Sequence, residues 1–398
     1  MKPSIRAIHV QESPIRKLMP FANEAKKRGI KIYHLNIGQP DIETPQVMID
    51  AYKNFNQKIV AYGPSQGLDE YRGALVNYFK KLDILLQEND IIVTVAGSEA
   101  CIFAMYVTCD PDDEIIVPEP FYTNYNSFAA MANVNLVPLT TYAETGFSIP
   151  EREKIENLIT NKTRAIMICN PGNPTGTVYT RKEIEMLADI AIKNDLYLIS
   201  DEVYREFVYE GERCTSILEI KGLEKHAIVV DSISKRYSAC GSRVGCLVSK
   251  NKEIIATVLK FAQARLCPPT IDQLAAAACD LLPESYTTDV MHEYDKRRNF
   301  VYNELIKIEG CVCVKPRGAF YIIAKLPIKD AEEFTIWLLN DFAIDNETVM
   351  VSPAEGFYAT PGLGKNELRI AYVLCEDDLK KAMNIFVKGL ERWRMENG

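Results

Sequence analysis

Histidine is nearly missing: four residues in a chain of 398. His9, His34, His226 and His292 stand far apart, none at metal-ligand spacing, which argues against a zinc site and against a histidine-based triad. A basic surplus is missing too. The 46 Lys and Arg face 54 Asp and Glu, a net charge of −8, so the chain offers no basic face for nucleic acid. No apolar run approaches the ~18 residues that a membrane span needs. The first residues, "MKPSIRAIHVQESPIRKL", lack both an apolar core and a small-residue cleavage site, so no secretory leader is expected in them. No C-x-x-C occurs. The eleven cysteines are odd in number and scattered, with Cys101, Cys169 and Cys279 inside apolar runs. They read as free thiols of a reducing, cytoplasmic compartment. Repeats and low-complexity tracts are also lacking.

What is present is an ordinary core-forming composition, 47% hydrophobic and 25% charged. The length suits one large domain or two. "ANEAKKRG" predicts a helix ended by Gly29, "YHLNIG" a short strand, and "LDEYRGALVNYFKKL" an amphipathic helix. Next come short apolar strands: "IIVTV", "DEIIVPEP", "NLVPL", "RAIMIC", "LYLIS" and "AIVVDS". Helical segments such as "RKEIEMLADIAIKND" separate some of them. That alternation predicts an α/β fold, a mostly parallel sheet sandwiched by helices. After about residue 290 the texture changes. "VMHEYDKRRNFVYNELIKI" reads as a long helix and "VCVKPRGAFYIIAKL" as a hairpin-like pair of strands. "AEEFTIWLLNDF" is a helix, "LRIAYVL" a strand and "EDDLKKAMNIFVKGLERWR" a closing helix. This is a smaller α+β unit.

In a parallel sheet, ligands gather at the carboxyl ends of the strands. Polar residues fall there repeatedly. Gly97 and Ser98 open a helix after "VTV", where backbone amides can hold phosphate, although a plain strand-to-helix turn reads the same. Asn173 sits in "NPGNPTG", which by itself is a tight turn. Asp201 ends "YLIS"; a carboxylate buried at a strand end needs a cation, unless it is simply a helix N-cap. In "HAIVVDSISKRYSACGSRVG" an apolar strand runs into Ser232, Ser234 and Lys235, with Arg243 eight residues on. A lysine in such an apolar setting is a candidate nucleophile. A phosphate cradle, a buried anion, a strand-end lysine and an arginine together suit pyridoxal phosphate.

The stretch "SISKRYSACGSRVG" resembles the S-x-S-K-x-x-x-x-x-G-x-R-x-G motif of the fold-type I, class I aminotransferases, and every specified position matches. "NPGNPTG" and "SDEVY" match in order, and the likeness runs from "LNIGQPDI" nearly to the end. It is closest to the prokaryotic aspartate aminotransferases. The resemblance implies pyridoxal 5'-phosphate as cofactor and a large cofactor-binding domain, residues 48–290. It implies a small domain built from both chain ends, 1–47 and 291–398. It implies that Lys235 is the Schiff-base lysine and catalytic base. Asp201 would pair with the pyridinium nitrogen, and Tyr204 and Asn173 would bond the phenolic oxygen. Gly97, Ser98, Ser232, Ser234 and Arg243 would surround the phosphate, and Tyr122 would stack on the ring. Tyr62 would reach the cofactor of a neighbouring subunit, so a homodimer is expected. Arg369, Asn173 and Gly38 would hold the α-carboxylate of the amino-acid or 2-oxo-acid substrate.

The resemblance also implies ping-pong transfer, with aspartate as donor and 2-oxoglutarate as acceptor. Ser98 stands where some relatives have a lysine for the distal carboxylate. Arg265 in "ARLCPP" and Arg16 near the N-terminus are alternative cations. If neither lines the pocket, an aromatic or broad specificity follows, for which Tyr122 and Phe320 are suited. Three rivals remain. Ser232-Ile-Ser-Lys235 is an S-x-x-K, but S-D-N and K-T-G partners are missing. A regulatory binding module would need an appended helix-turn-helix, for which few residues precede the first motif. A β-lyase or a decarboxylating relative would share the whole constellation.

Overall fold

A computed structural model describes residues 1–397. Its strands are β1 (Lys31–His34), β2 (Ile91–Val95), β3 (Glu114–Glu119), β4 (Asn135–Thr140), β5 (Thr163–Cys169), β6 (Tyr197–Asp201), β7 (Ala227–Ser232), β8 (Val244–Val248), β9 (Tyr321–Lys325), β10 (Glu347–Met350), β11 (Ser352–Pro353) and β12 (Glu367–Ala371).

Seven of them form one sheet in the order β2-β8-β7-β6-β5-β3-β4. All but β8 run the same way, since β8 is antiparallel to both β2 and β7 while the remaining pairs are parallel. The central strands are short and nearly all apolar because helices cover both faces; every residue of β7 is buried. Two apolar layers result. One holds Ile116, Ile166, Leu198 and Val229, the other Ile115, Met167, Ile199 and Ile228. Within each strand the alternate residues go to opposite layers. Strand β8, "VGCLV", was not foreseen. It follows β7 after a short connection rather than a long helical crossover, which is why it can only run antiparallel.

The rest of the chain forms two smaller sheets. In one, β1 and β10 pair in parallel, with Lys31 opposite Glu347 and His34 opposite Met350. The other is antiparallel, β11-β12-β9. The hairpin expected from "VCVKPRGAFYIIAKL" is half formed. Only β9 is a strand, and Val312 makes a single bridge to Lys325. The intervening segment is pulled elsewhere: the amides of Arg317 and Gly318 both donate to the Gly176 carbonyl, and Gly318 bridges Val208. Phe320, Tyr294, Phe207 and Phe334 anchor the core beneath these sheets. Among the described residues, no helix is long and apolar enough to cross a membrane.

Candidate active site

Strands β2, β5, β6 and β7 share a direction, so their carboxyl ends open on one edge of the large sheet. There a cavity of about 960 Å³ is closed from the other side by β9, β12 and the segments Gln11–Arg16 and Asn36–Gln39. Gly97, Ser98, Tyr122, Asn173, Asp201, Tyr204, Ser232, Ser234, Lys235, Arg243, Gly38 and Arg369 all line it. Tyr62 does not; it is 82% exposed on the outer surface.

The turn after β2 enters the helix Ala96–Thr108 through Ala96, whose φ is +60°. A Cβ on Gly245 would lie 2.5 Å from the Ala96 carbonyl carbon and 2.7 Å from the Gly97 nitrogen. The last glycine of the lysine motif is therefore required for β8 to lie against this turn. Ser232 ends β7 and caps the short helix Ile233–Arg236. Its hydroxyl accepts from the Ser234 amide (3.2 Å), donates to the Val244 carbonyl (2.8 Å) and meets the Ser234 hydroxyl at 2.8 Å. Lys235 Nζ donates to the Gly38 carbonyl at 2.8 Å and lies 3.6 Å from Cys240 Sγ. Arg243, in the left-handed region, donates to the Cys240 carbonyl and keeps an exposed guanidinium at the cavity rim.

Asp201 is buried at the tip of β6. Its Oδ2 accepts from the Tyr125 hydroxyl at 2.7 Å and its Oδ1 from the Val203 amide at 3.3 Å. Burial pushes its pKa up to about 6, against the opposing pull of those two donors. Among the described residues no arginine or lysine forms an ion pair with it, whereas nearby Glu202 pairs with Arg205, and Asp231 with both Arg205 and Arg236. A buried carboxylate that faces a cavity without a cation fits a protonated ring nitrogen.

The other wall is a chain of contacts. Tyr204 shares a 2.9 Å hydrogen bond with the Tyr321 hydroxyl and accepts from Asn173 Nδ2 at 3.3 Å. Asn173 Oδ1 accepts from Arg369 at 3.1 Å. Arg369 is 2% exposed; it also donates to the Asn36 carbonyl at 2.6 Å, and its guanidinium lies over the rings of Tyr321 and Phe357. Burial lowers its pKa, and its Nε is buried with no partner. A buried guanidinium with spare donors suits a carboxylate. Tyr122 sits edge-on to Tyr125, and burial raises its hydroxyl's pKa. These residues fit pyridoxal phosphate: an unpaired buried anion, a rim arginine above a glycine turn, and a lysine within the same cavity.

Several expectations are corrected here. Arg265 does not line the cavity; it donates to the Val93 carbonyl and pairs with Glu99 at 3.3 Å. Arg16 does line it. Phe320 is wholly buried against Tyr204, Phe207 and Tyr294, while its neighbour Tyr321 faces the cavity. Tyr321 and Tyr125 were not foreseen. The signal for Tyr321 was the alternation of faces along "AFYIIAKL". A Cβ on Gly38 would stand 1.7 Å from its hydroxyl oxygen, so Gly38 makes the room for Tyr321.

Comparison with known proteins points the same way. The family model for aminotransferase class I and II matches residues 30–386. An aspartate aminotransferase of Bacillus subtilis is 30% identical, covering 98% of this chain and 100% of its own. An aromatic-amino-acid aminotransferase of Thermococcus litoralis is 32% identical, covering 97% of each. A solved alanine aminotransferase from Pyrococcus furiosus superposes with a TM-score of 0.89 at 33% identity, over 98% of this chain and 100% of that one. The family uses pyridoxal phosphate. Its motifs and its fold are present, and the chain belongs to the class I and II aminotransferases.

Proposed function

We propose that the protein transfers the amino group of L-aspartate to 2-oxoglutarate, with pyridoxal phosphate held on Lys235 and with the domain division 48–290 against 1–47 and 291–398. When bound, the cofactor supplies an electron sink for charge developing at the substrate α-carbon. Asp201 would balance the protonated ring nitrogen. Gly97, Ser98, Ser232, Ser234 and Arg243 would hold the phosphate, and Tyr122 would bound one ring face. Arg369, with Asn173 as its polar neighbour, would orient the α-carboxylate. Lys235 Nζ would take the proton from the α-carbon, its position set by the Gly38 carbonyl. Tyr204, between Asn173 and Tyr321, would hold a hydroxyl at the phenolic oxygen. Tyr62 would serve the cofactor of a second copy, making the enzyme a homodimer.

One observation carries the choice of an acidic donor. Arg16 is exposed, lines the cavity and has no ion-pair partner among the described residues, which leaves its guanidinium free for a second carboxylate. The second reading, an aromatic donor, is favoured by Tyr122, Tyr321, Ile37 and Phe128 in the same lining. Initial rates decide, with 2-oxoglutarate as acceptor and aspartate, phenylalanine, alanine and kynurenine as donors. Aspartate should give the highest kcat/KM. Arg16→Met should raise its KM by roughly tenfold or more and leave alanine unaffected. A phenylalanine kcat/KM above that of aspartate overturns the assignment.

A further inference from the structure

Behind the cavity, on the faces turned away from it, four charged residues are buried together: Glu202, Arg205, Asp231 and Arg236. Each is the chain neighbour of a cavity residue. Glu202 follows Asp201, Arg205 follows Tyr204, Asp231 precedes Ser232, and Arg236 follows Lys235.

The contacts tie the two site-bearing loops together. Asp231 Oδ2 accepts from Arg236 at 2.6 Å and from Arg205 at 3.2 Å, and its Oδ1 accepts from the Ser232 amide at 2.7 Å. Arg205 donates through Nε and a terminal nitrogen to Glu202 Oε2, at 2.9 and 2.7 Å. The other oxygen of Glu202 accepts from the Ser216 hydroxyl and the Ile217 amide. Tyr78, on the helix Asp69–Lys81, lies under the Arg236 guanidinium at 3.8 Å and bonds Arg205 at 3.0 Å; its hydroxyl donates to Glu206. Burial would raise the Asp231 pKa, but the two arginines outweigh it and the net shift is downward. Glu206, less buried, stands 3.6 Å from the Arg236 Nε, so three carboxylates face two guanidiniums. A buried, hydrogen-bonded pair of this kind adds little net stability over an apolar replacement, yet removing one partner is costly. Its use is then to be sought in what it fixes.

We propose that Asp231, bridging Arg205 and Arg236, is a positioning residue that sets Lys235 on the β7 side against Tyr204 and Asp201 on the β6 side. The inference rests on the aminotransferase reading. If the bridge is lost, the amine and the phenol can shift relative to each other, and a displacement near 1 Å costs about a hundredfold in rate.

The test uses Asp231→Asn, Arg236→Gln and the double variant, which removes one charge of each sign. The singles should lower Tm, because each strands a buried charge. The double should recover much of that loss and remain slow. Two readouts apply to the folded double: the rate at which added pyridoxal phosphate attaches to Lys235, followed by absorbance and mapped after borohydride reduction, and the split between kcat and KM. Attachment should slow by roughly tenfold, and kcat fall by roughly 10- to 100-fold, with donor KM changed less than about threefold. Wild-type attachment and kcat in a folded double variant would reduce the bridge to a stabilising role and overturn the proposal. Should the double variant not fold, Arg236→Lys, which keeps the charge but loses the planar fork, decides on the same two readouts. Failure of the unaltered protein to attach the cofactor at Lys235 or to transfer an amino group would instead overturn the aminotransferase reading.

Discussion

At the scale of single residues, Asp201 shows how burial writes chemistry. An unfolded chain ionises it near 3.8, while the folded carboxyl ionises near 6. Between those values the folded form holds a proton that the unfolded form has lost. Its contribution therefore favours the fold at low pH and disappears as the pH rises through about 6. We expect the cofactor-free protein to lose stability across that window, by on the order of 3 kcal/mol from this group. Asp201→Asn should flatten the dependence, as thermal unfolding against pH would reveal, and unchanged curvature in the variant would count against the assignment. In the loaded enzyme the same change should cost roughly 3 kcal/mol or more of transition-state stabilisation. Lysine, acid, tyrosine and both arginines were legible in the sequence because each sits in a fixed motif. Tyr321 was not. One position separates it from Phe320, and on a strand one position exchanges core for cavity. Tyr125 was hidden for another reason: its partner Asp201 lies 76 positions away, and no local pattern announces such a pair.

At the scale of elements, the strands that carry the site were readable from their apolar runs and turn residues. Strands β8, β10 and the two-residue β11 were not, because a neighbouring polar motif or loop masks each short run. Strand β3 shows how an element end is fastened. Its last residue, Glu119, is buried with no ion-pair partner among the described residues; Oε2 accepts from the Ala359 and Thr360 amides at 2.8 and 3.0 Å, and Oε1 from the hydroxyls of Thr140 and Thr360 at 2.7 and 2.5 Å. Close by, the Phe121 amide donates to the Phe357 carbonyl at 2.9 Å. The carboxylate thus fastens the loop before β12 to the strand that leads into Tyr122. Glu119→Ala would leave two amides without acceptors and should cost about 2–4 kcal/mol, with faster proteolysis near Tyr358–Pro361. Glu119→Gln can turn its amide toward the hydroxyls and its oxygen toward the amides, so it should cost under about 1 kcal/mol. Equal losses in the two variants, measured by denaturant unfolding, would show that the hydrogen-bond pattern is not what fastens the loop.

At the scale of the whole molecule, the resemblance extended over nearly all of the sequence, and the family model and solved relatives match it at that length. What composition and periodicity could not supply was the meeting of distant segments: Lys235 with Gly38, Arg369 with Asn36. The proposed role of Tyr62 belongs to this scale, since a side chain so exposed and outside the cavity would have to serve the site from a second copy. Lys235→Ala and Tyr62→Ala proteins, each crippled, should regain up to about a quarter of wild-type activity when equal amounts exchange subunits, half the dimers then being mixed with one sound site each. No recovery after proven exchange, with a severely impaired Tyr62 variant, would mean that each copy works alone. The pairing of β1 with β10 has a consequence for synthesis on the ribosome. Ser352 donates to the carbonyl of Asn36, 316 positions away, and β1 finds its partner only at Glu347–Met350. While the chain is being made, the sheet from β2 to β8 can assemble behind it, but the segment that bears Gly38 must wait with Tyr33 and Leu35 uncovered. The lysine thus gains its carbonyl partner among the last events, and a nascent chain remains without a working site until its final portion has emerged.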